Sequence, residues 1–130
     1  MIIFYTKILN ISNVKPQFMK KIEAIIRSSK FADVREALSE IGIKFFTFME
    51  VKGYGLQKGA HVTYRGAAYD VGYIARLKLE ILVEDDKVES VLGVIVESGK
   101  TGEIGDGKVS VYSVEQLVRI RTGEKAEAAL

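Results

Sequence analysis

The twenty residues from Gly53 to Gly72 include five glycines, one histidine and few aliphatic side chains. A stretch like that cannot bury much of itself, and loops of such length are uncommon in compact domains and are usually either functional or disordered. The core must therefore come from the segments on either side. On the N-terminal side, Ile22, Ala24 and Ile26 alternate with Glu23, Ile25 and Arg27, a strand pattern from Lys20 onward. Ser28, Ser29 and Lys30 supply a turn. Phe31, Val34, Leu38 and Ile41 then recur at helical spacing, with Asp33, Arg35, Glu36 and Glu40 on the other side. Gly42 stands where a helix ends. The stretch 43–51, rich in β-branched and aromatic residues, continues toward Tyr54 as a second strand. On the C-terminal side, Leu77, Leu79, Ile81 and Val83 alternate with Arg76, Lys78, Glu80 and Leu82 as a third strand. Glu84, Asp85 and Asp86 put acids at the start of the next helix, where its dipole favours them. Val88, Val91, Leu92 and Ile95 line one face of that helix. A glycine-rich turn region over 99–107 leads into a fourth strand at 109–114, and Val118 to Arg121 alternates again in the tail.

Strand–helix–strand, long loop, strand–helix–strand predicts an α+β, ferredoxin-like βαββαβ fold, an antiparallel sheet with two helices on one face. The other face is left bare, and an oligomer is a natural way to cover it. A length of 130 residues fits one domain, and 48% hydrophobic with 28% charged residues is a globular composition rather than a disordered one. Nineteen basic against seventeen acidic residues is too small an excess to point to nucleic acid. The excess belongs to a leader, residues 1–18, which holds Lys7, Lys15 and no acid; residues 19–130 carry no net charge. We treat 1–18 as an N-terminal extension of unknown role and 19–130 as the domain. Cysteine is absent, which removes disulfides, thiolate zinc sites and cysteine nucleophiles. The single histidine, His61, reads as a solvated loop residue. No apolar run approaches the ~20 residues of a membrane span, and the N-terminus lacks a signal-peptide pattern, so a soluble, cytoplasmic protein is expected.

Three stretches suggest an anion site. Thr101-Gly102-Glu103-Ile104-Gly105-Asp106-Gly107-Lys108 combines glycines, whose backbone amides can approach a phosphate, with a lysine. It is not a P-loop: Val109 stands where the magnesium-binding hydroxyl is required, and a strand rather than a helix follows. Arg119 and Arg121 project to the same side if 118–121 is extended, a pair suited to gripping a polyphosphate. Lys58 lies between Gly55 and Gly59. Tyr64-Arg65-Gly66-Ala67-Ala68-Tyr69 puts two tyrosines and an arginine in the long loop, fitting partner recognition or covalent modification. No acid pair, base or nucleophile stands in a catalytic setting, so an enzyme is not expected.

Taken with Val51-Lys52-Gly53-Tyr54-Gly55-Leu56-Gln57-Lys58-Gly59 and Arg119-Ile120-Arg121-Thr122-Gly123-Glu124, these motifs resemble the P-II nitrogen-regulatory signal proteins of the GlnB/GlnK type over 19–130. The resemblance implies a homotrimer with ATP or ADP in clefts between subunits, and 2-oxoglutarate bound together with Mg2+ and ATP. It implies a nucleotide site of Thr47, Gly53, Gly55, Glu80, Leu82, Thr101, Gly105, Asp106, Gly107, Lys108, Arg119 and Arg121. Thr47, Glu80 and Leu82 would lie near adenine and ribose. Gly105, Gly107, Lys108, Arg119 and Arg121 would hold the phosphates, the two arginines coming from a neighbouring subunit. Gln57 would meet the magnesium and 2-oxoglutarate, with Lys58, Gly59 and Arg76 nearby. Residues 55–72 look like the T-loop, which docks into targets such as an ammonium transporter or a nitrogen-assimilation enzyme. Membranes would be met only through a transporter. Tyr69 matches the tyrosine that a uridylyltransferase modifies in some members, with Tyr64 and Arg65 as further contact residues.

The pattern departs from the family at Leu56, where arginine is frequent, and at Arg76, where lysine is usual. It departs again at Ala60-His61-Val62 and at Ser110. These keep open a divergent sensor that binds adenine nucleotide but has another second ligand or partner.

Overall fold

The structure is a computed structural model and describes residues 18–54, 61–64, 67–70 and 74–130. Strand β1 (Met19–Ile26) turns Ile22, Ala24 and Ile26 to one face, each at most 2% exposed, as the two-residue period requires. Strand β5 (Ile74–Glu84) pairs antiparallel with it, setting Ile81 opposite Ile22 and Leu79 opposite Ala24. Helices α1 (Phe31–Glu40) and α2 (Val88–Gly99) lie over that face, and Val34, Leu38, Val88, Val91 and Ile95 complete one buried cluster. Strand β2 (Thr47–Gly53) pairs with β5 and strand β6 (Lys108–Val114) with β1, both antiparallel. The four-stranded sheet runs β2-β5-β1-β6, the expected ferredoxin-like arrangement with β2 and β6 at its edges.

The opposite face is bare. Lys78 bridges Glu23 and Glu80, at 3.6 Å from each, and Lys21 lies 3.8 Å from Glu23 and over the Tyr112 ring. Met49, Leu82 and Tyr112 stand exposed around this strip. These side chains are half-buried, and ion pairs at a solvated surface contribute little to a single chain, ~0–1 kcal/mol each.

Several expectations change. The second strand begins at Thr47, not Ile43, because the backbone of 42–43 is spent closing α1. Gly42 (φ +89°) donates to the Ser39 carbonyl and Ile43 to the Leu38 carbonyl, at 3.0 and 2.9 Å. Phe46 and Phe48 then pack on Phe31, the latter with ring centroids 4.7 Å apart. The long segment is not loop throughout. Strand β3 (His61–Tyr64) and strand β4 (Ala67–Asp70) form a two-stranded ladder with Tyr64 opposite Ala67 and His61 opposite Asp70. His61 is thus a strand residue rather than a loop one. Val62, Thr63, Tyr64 and Tyr69 are the strand-favouring residues that the count of glycines hid. Gly99 is a buried helix residue, not part of a turn. The tail is not extended: Arg119 N–H donates to the Glu124 carbonyl and Gly123 N–H to the Arg119 carbonyl, both at 2.8 Å. The chain reverses there, with Val118 bridged to Lys125, and ends in a 3-10 turn at Ala126–Ala129.

Candidate functional site

The β2–β5 ladder sets Thr47 opposite Glu80, and Leu82 follows two residues on, facing the same side. These three residues, which the resemblance puts near adenine and ribose, line one cleft of about 470 Å³. Phe45 and Phe46 precede Thr47 in its wall, and Phe45 is 82% exposed. Lys21, Lys44 and Lys87 also border the cleft. Sequence reasoning singled out none of these five, because they come from the α1–β2 connection, from β1 and from the turn before α2, which meet only in the fold. Leu117, Ala129 and Leu130 close one side. The tail is fastened there by Arg119, whose guanidinium donates to the main-chain oxygen of Leu130 and lies 3.8 Å from the Glu124 carboxylate. Arg119 is thereby brought next to the cleft, while Arg121 sits in the turn, exposed and without a polar partner among the described residues. The expectation that the two arginines project together fails with the extended tail that it needed.

The glycine-rich segment between α2 and β6 is organised around Asp106. Its carboxylate accepts from the amides of Thr101 (2.8 Å) and Gly102 (2.9 Å), from the Thr101 hydroxyl and from Arg27 Nε (2.9 Å). The Thr101 hydroxyl, the Arg27 guanidinium and the Thr101 amide, in that order, hold the carboxyl well below the usual carboxylate range. Arg27 Nη2 also donates to the Ile104 carbonyl at 2.9 Å. Thr101 and Asp106 were expected in a nucleotide site; here their side chains bond each other and shape the loop. Gly107 is fixed by contact: at φ +100°, a Cβ on it would lie 1.7 Å from the Ile25 carbonyl oxygen, so only glycine lets the loop run this close to β1. Lys108, the first residue of β6, is exposed and without a polar partner among the described residues. Asp106, Gly107 and Lys108 line a second cleft, of about 350 Å³, with Ile25, Val96 and Lys100.

The expected nucleotide residues therefore fall into two groups. Thr47, Glu80 and Leu82 lie on the β2–β5 side, and Gly107 and Lys108 lead into β6 at the opposite edge. Three strand spacings, ~14 Å, separate β2 from β6, and among the described residues the two groups line separate clefts. Gly53 ends β2 opposite Ile74, and Arg76, opposite Val51, donates to the Ala75 carbonyl. Gly55, Gln57, Lys58, Gly59 and Arg65 lie outside the described residues, as does the leader up to residue 17. Tyr64 and Tyr69 are placed in β3 and β4 by their backbone alone. Among the described residues no group of three His, Cys, Asp or Glu could hold a metal, and no helix is long and apolar enough to cross a membrane.

Comparison with known proteins bears on the whole domain. The family model "Nitrogen regulatory protein P-II" matches residues 19–124. Nitrogen regulatory protein P-II of Pasteurella multocida is 52% identical over 112 residues, 86% of this chain and 100% of the relative. Nitrogen regulatory protein P-II 1 of Escherichia coli K12 is 51% identical over the same length and shares. A crystal structure of Arabidopsis thaliana PII bound to citrate superposes with a TM-score of 0.72 at 39% identity, covering 87% of this chain and 92% of that one. The resemblance carried by the glycine, tyrosine and arginine motifs is thus confirmed along the full domain, and the regulatory rather than enzymatic character goes with it. The chain belongs to the P-II family of nitrogen regulatory proteins.

Proposed function

We propose that the protein is a homotrimeric sensor that binds ATP or ADP, and 2-oxoglutarate with Mg2+ and ATP, and relays their levels to nitrogen targets through residues 55–72. The carrying observation is the split of the nucleotide residues between opposite edges of the sheet. A head-to-tail interface that closes as a ring apposes two different surface patches at each junction. Set between neighbouring subunits, the Thr47–Glu80–Leu82 cleft receives adenine and ribose and the Gly105–Lys108 segment meets the phosphates. The bare sheet face, with its Lys21–Glu23–Lys78–Glu80 strip, then has partner surfaces to cover it.

Polyphosphate and dicarboxylate bring several negative charges together, and Lys108, Arg119, Arg121 and Arg76 offset them. Gln57, with Lys58 and Gly59 beside it, serves the magnesium and 2-oxoglutarate. The relative from Arabidopsis thaliana was crystallised with citrate, a polycarboxylate, which supports a small-acid site in this family. Because a ligand shifts a conformational equilibrium only by its differential affinity, ATP with 2-oxoglutarate and ADP alone give the β3–β4 region different settings. An ammonium transporter or a nitrogen-assimilation enzyme reads them, and Tyr69 is the residue a uridylyltransferase would modify. Calorimetry with ATP, ADP and 2-oxoglutarate, paired with sedimentation, tests the proposal. Silence for all three ligands, or a monomer, refutes it; ATP binding with no 2-oxoglutarate response favours the divergent sensor.

A further inference from the structure

Arg27 is the first residue past β1, extended at φ −65° and ψ 137°, and its side chain plays no part in capping the 3-10 turn that follows. It reaches instead across the sheet end to a loop 77 to 79 residues away, donating through Nη2 to the Ile104 carbonyl and through Nε to Asp106. The pair is only partly exposed, at 24% and 23% of the two side chains. Asp106 in turn takes up the amides of Thr101 and Gly102, and the Thr101 hydroxyl accepts from the Glu103 amide. The first half of the loop is consumed by these internal bonds, which leaves its second half and Lys108 to face an anion. A carboxylate beside a phosphate site would repel the ligand; Arg27 cancels that charge while holding the Ile104 carbonyl and the Asp106 side chain on either side of Gly105.

We infer that Arg27 is a positioning residue for the phosphate end of the nucleotide site, acting through Asp106 by holding the 101–108 loop and neutralising that carboxylate. The inference rests on the adenine-nucleotide reading above and assigns a role to a residue outside the three motifs. It makes the ligand's charge the variable: the loss on removing Arg27 grows from adenosine to ADP to ATP.

The test is titration of the full-length protein with adenosine, ADP and ATP, comparing wild type with Arg27→Ala, Arg27→Lys and the double variant Arg27→Ala/Asp106→Asn. Loss of a charge-assisted hydrogen bond and exposure of the carboxylate weaken ATP binding by roughly 10- to 100-fold in Arg27→Ala, with ADP affected less and adenosine unchanged. Arg27→Lys, which keeps the charge but not both bonds, falls between. The double variant binds ATP more tightly than Arg27→Ala, because a neutral amide still accepts from Thr101 and Gly102 without repelling phosphate; a purely architectural role would make the second change an added loss. In the ligand-free protein, the Thr101 and Gly102 amides exchange faster in Arg27→Ala. ATP affinity of Arg27→Ala or Arg27→Lys within twofold of wild type, equal losses for ATP and adenosine, or a double variant no better than the single overturns the inference alone. A wild-type protein that binds no nucleotide overturns the reading beneath it as well.

Discussion

Replacing Gly107 by alanine separates two costs that glycine loops usually confound. Gly102 and Gly107 both hold positive φ, +88° and +100°, so alanine at either pays the strain of a conformation that side chains avoid, about 1–3 kcal/mol. At Gly102 nothing lies within 4 Å of the added methyl, and strain is the whole cost. At Gly107 the methyl would sit 1.7 Å from the Ile25 carbonyl oxygen and 2.8 Å from its carbonyl carbon. Neither atom can swing away, because both are backbone in the middle of the sheet, where Ile25 is paired with Lys78 on one side and Lys108 on the other. The loop must lift by more than 1 Å, which opens the start of the β1–β6 ladder and loses one or two backbone hydrogen bonds, ~1 kcal/mol each, along with packing beneath them. Gly107→Ala should therefore cost ~3–5 kcal/mol, at least 2 kcal/mol more than Gly102→Ala. Urea unfolding of the two variants at one protein concentration measures the difference, since assembly makes stability concentration-dependent. Equal midpoints and slopes for the two would refute the close approach of this loop to β1.

Leu79→Ala empties a fully buried site in the central strand β5 and should cost ~2–5 kcal/mol by urea unfolding; a loss under 1 kcal/mol would mean that the helices do not pack there as described. Because the Asp106 carboxyl is held below its ordinary value of 3.8, its stabilisation of the loop is complete above about pH 5. It is lost as pH falls further toward the lowered folded-state value. The Asp106 side-chain carbon resonance should accordingly show no titration between pH 7 and about 4, and an ordinary midpoint near 3.8 would contradict the four hydrogen bonds it accepts. Arg119→Ala should release the tail from the cleft, raising amide exchange at Ala126 and Leu130 roughly five- to tenfold for a lost bond of ~1 kcal/mol; unchanged protection would show that the Arg119–Leu130 contact does not hold it.

What the local pattern determined is the alternation that buries Ile22, Ala24 and Leu79, the helical stripes of α1 and α2, and the order of elements. Each of these follows from which face of a strand or helix repels water, a property read within a few residues. The motifs at 51–59, 64–69, 101–108 and 119–124 sufficed to place the chain in its family. Beyond them, long-range contact decided the outcome. The β3–β4 ladder depends on cross-strand pairing that a glycine-rich composition conceals. The tail turns back because Arg119, Glu124 and Leu130 meet. Arg27 reveals its partner only when β1 and the loop before β6 come together, 79 residues apart in the chain. Tertiary structure also separated Thr47, Glu80 and Leu82 from Gly107 and Lys108 across the width of the sheet, for strand order is set by which hydrophobic faces and edges pair, a choice no short stretch of sequence contains.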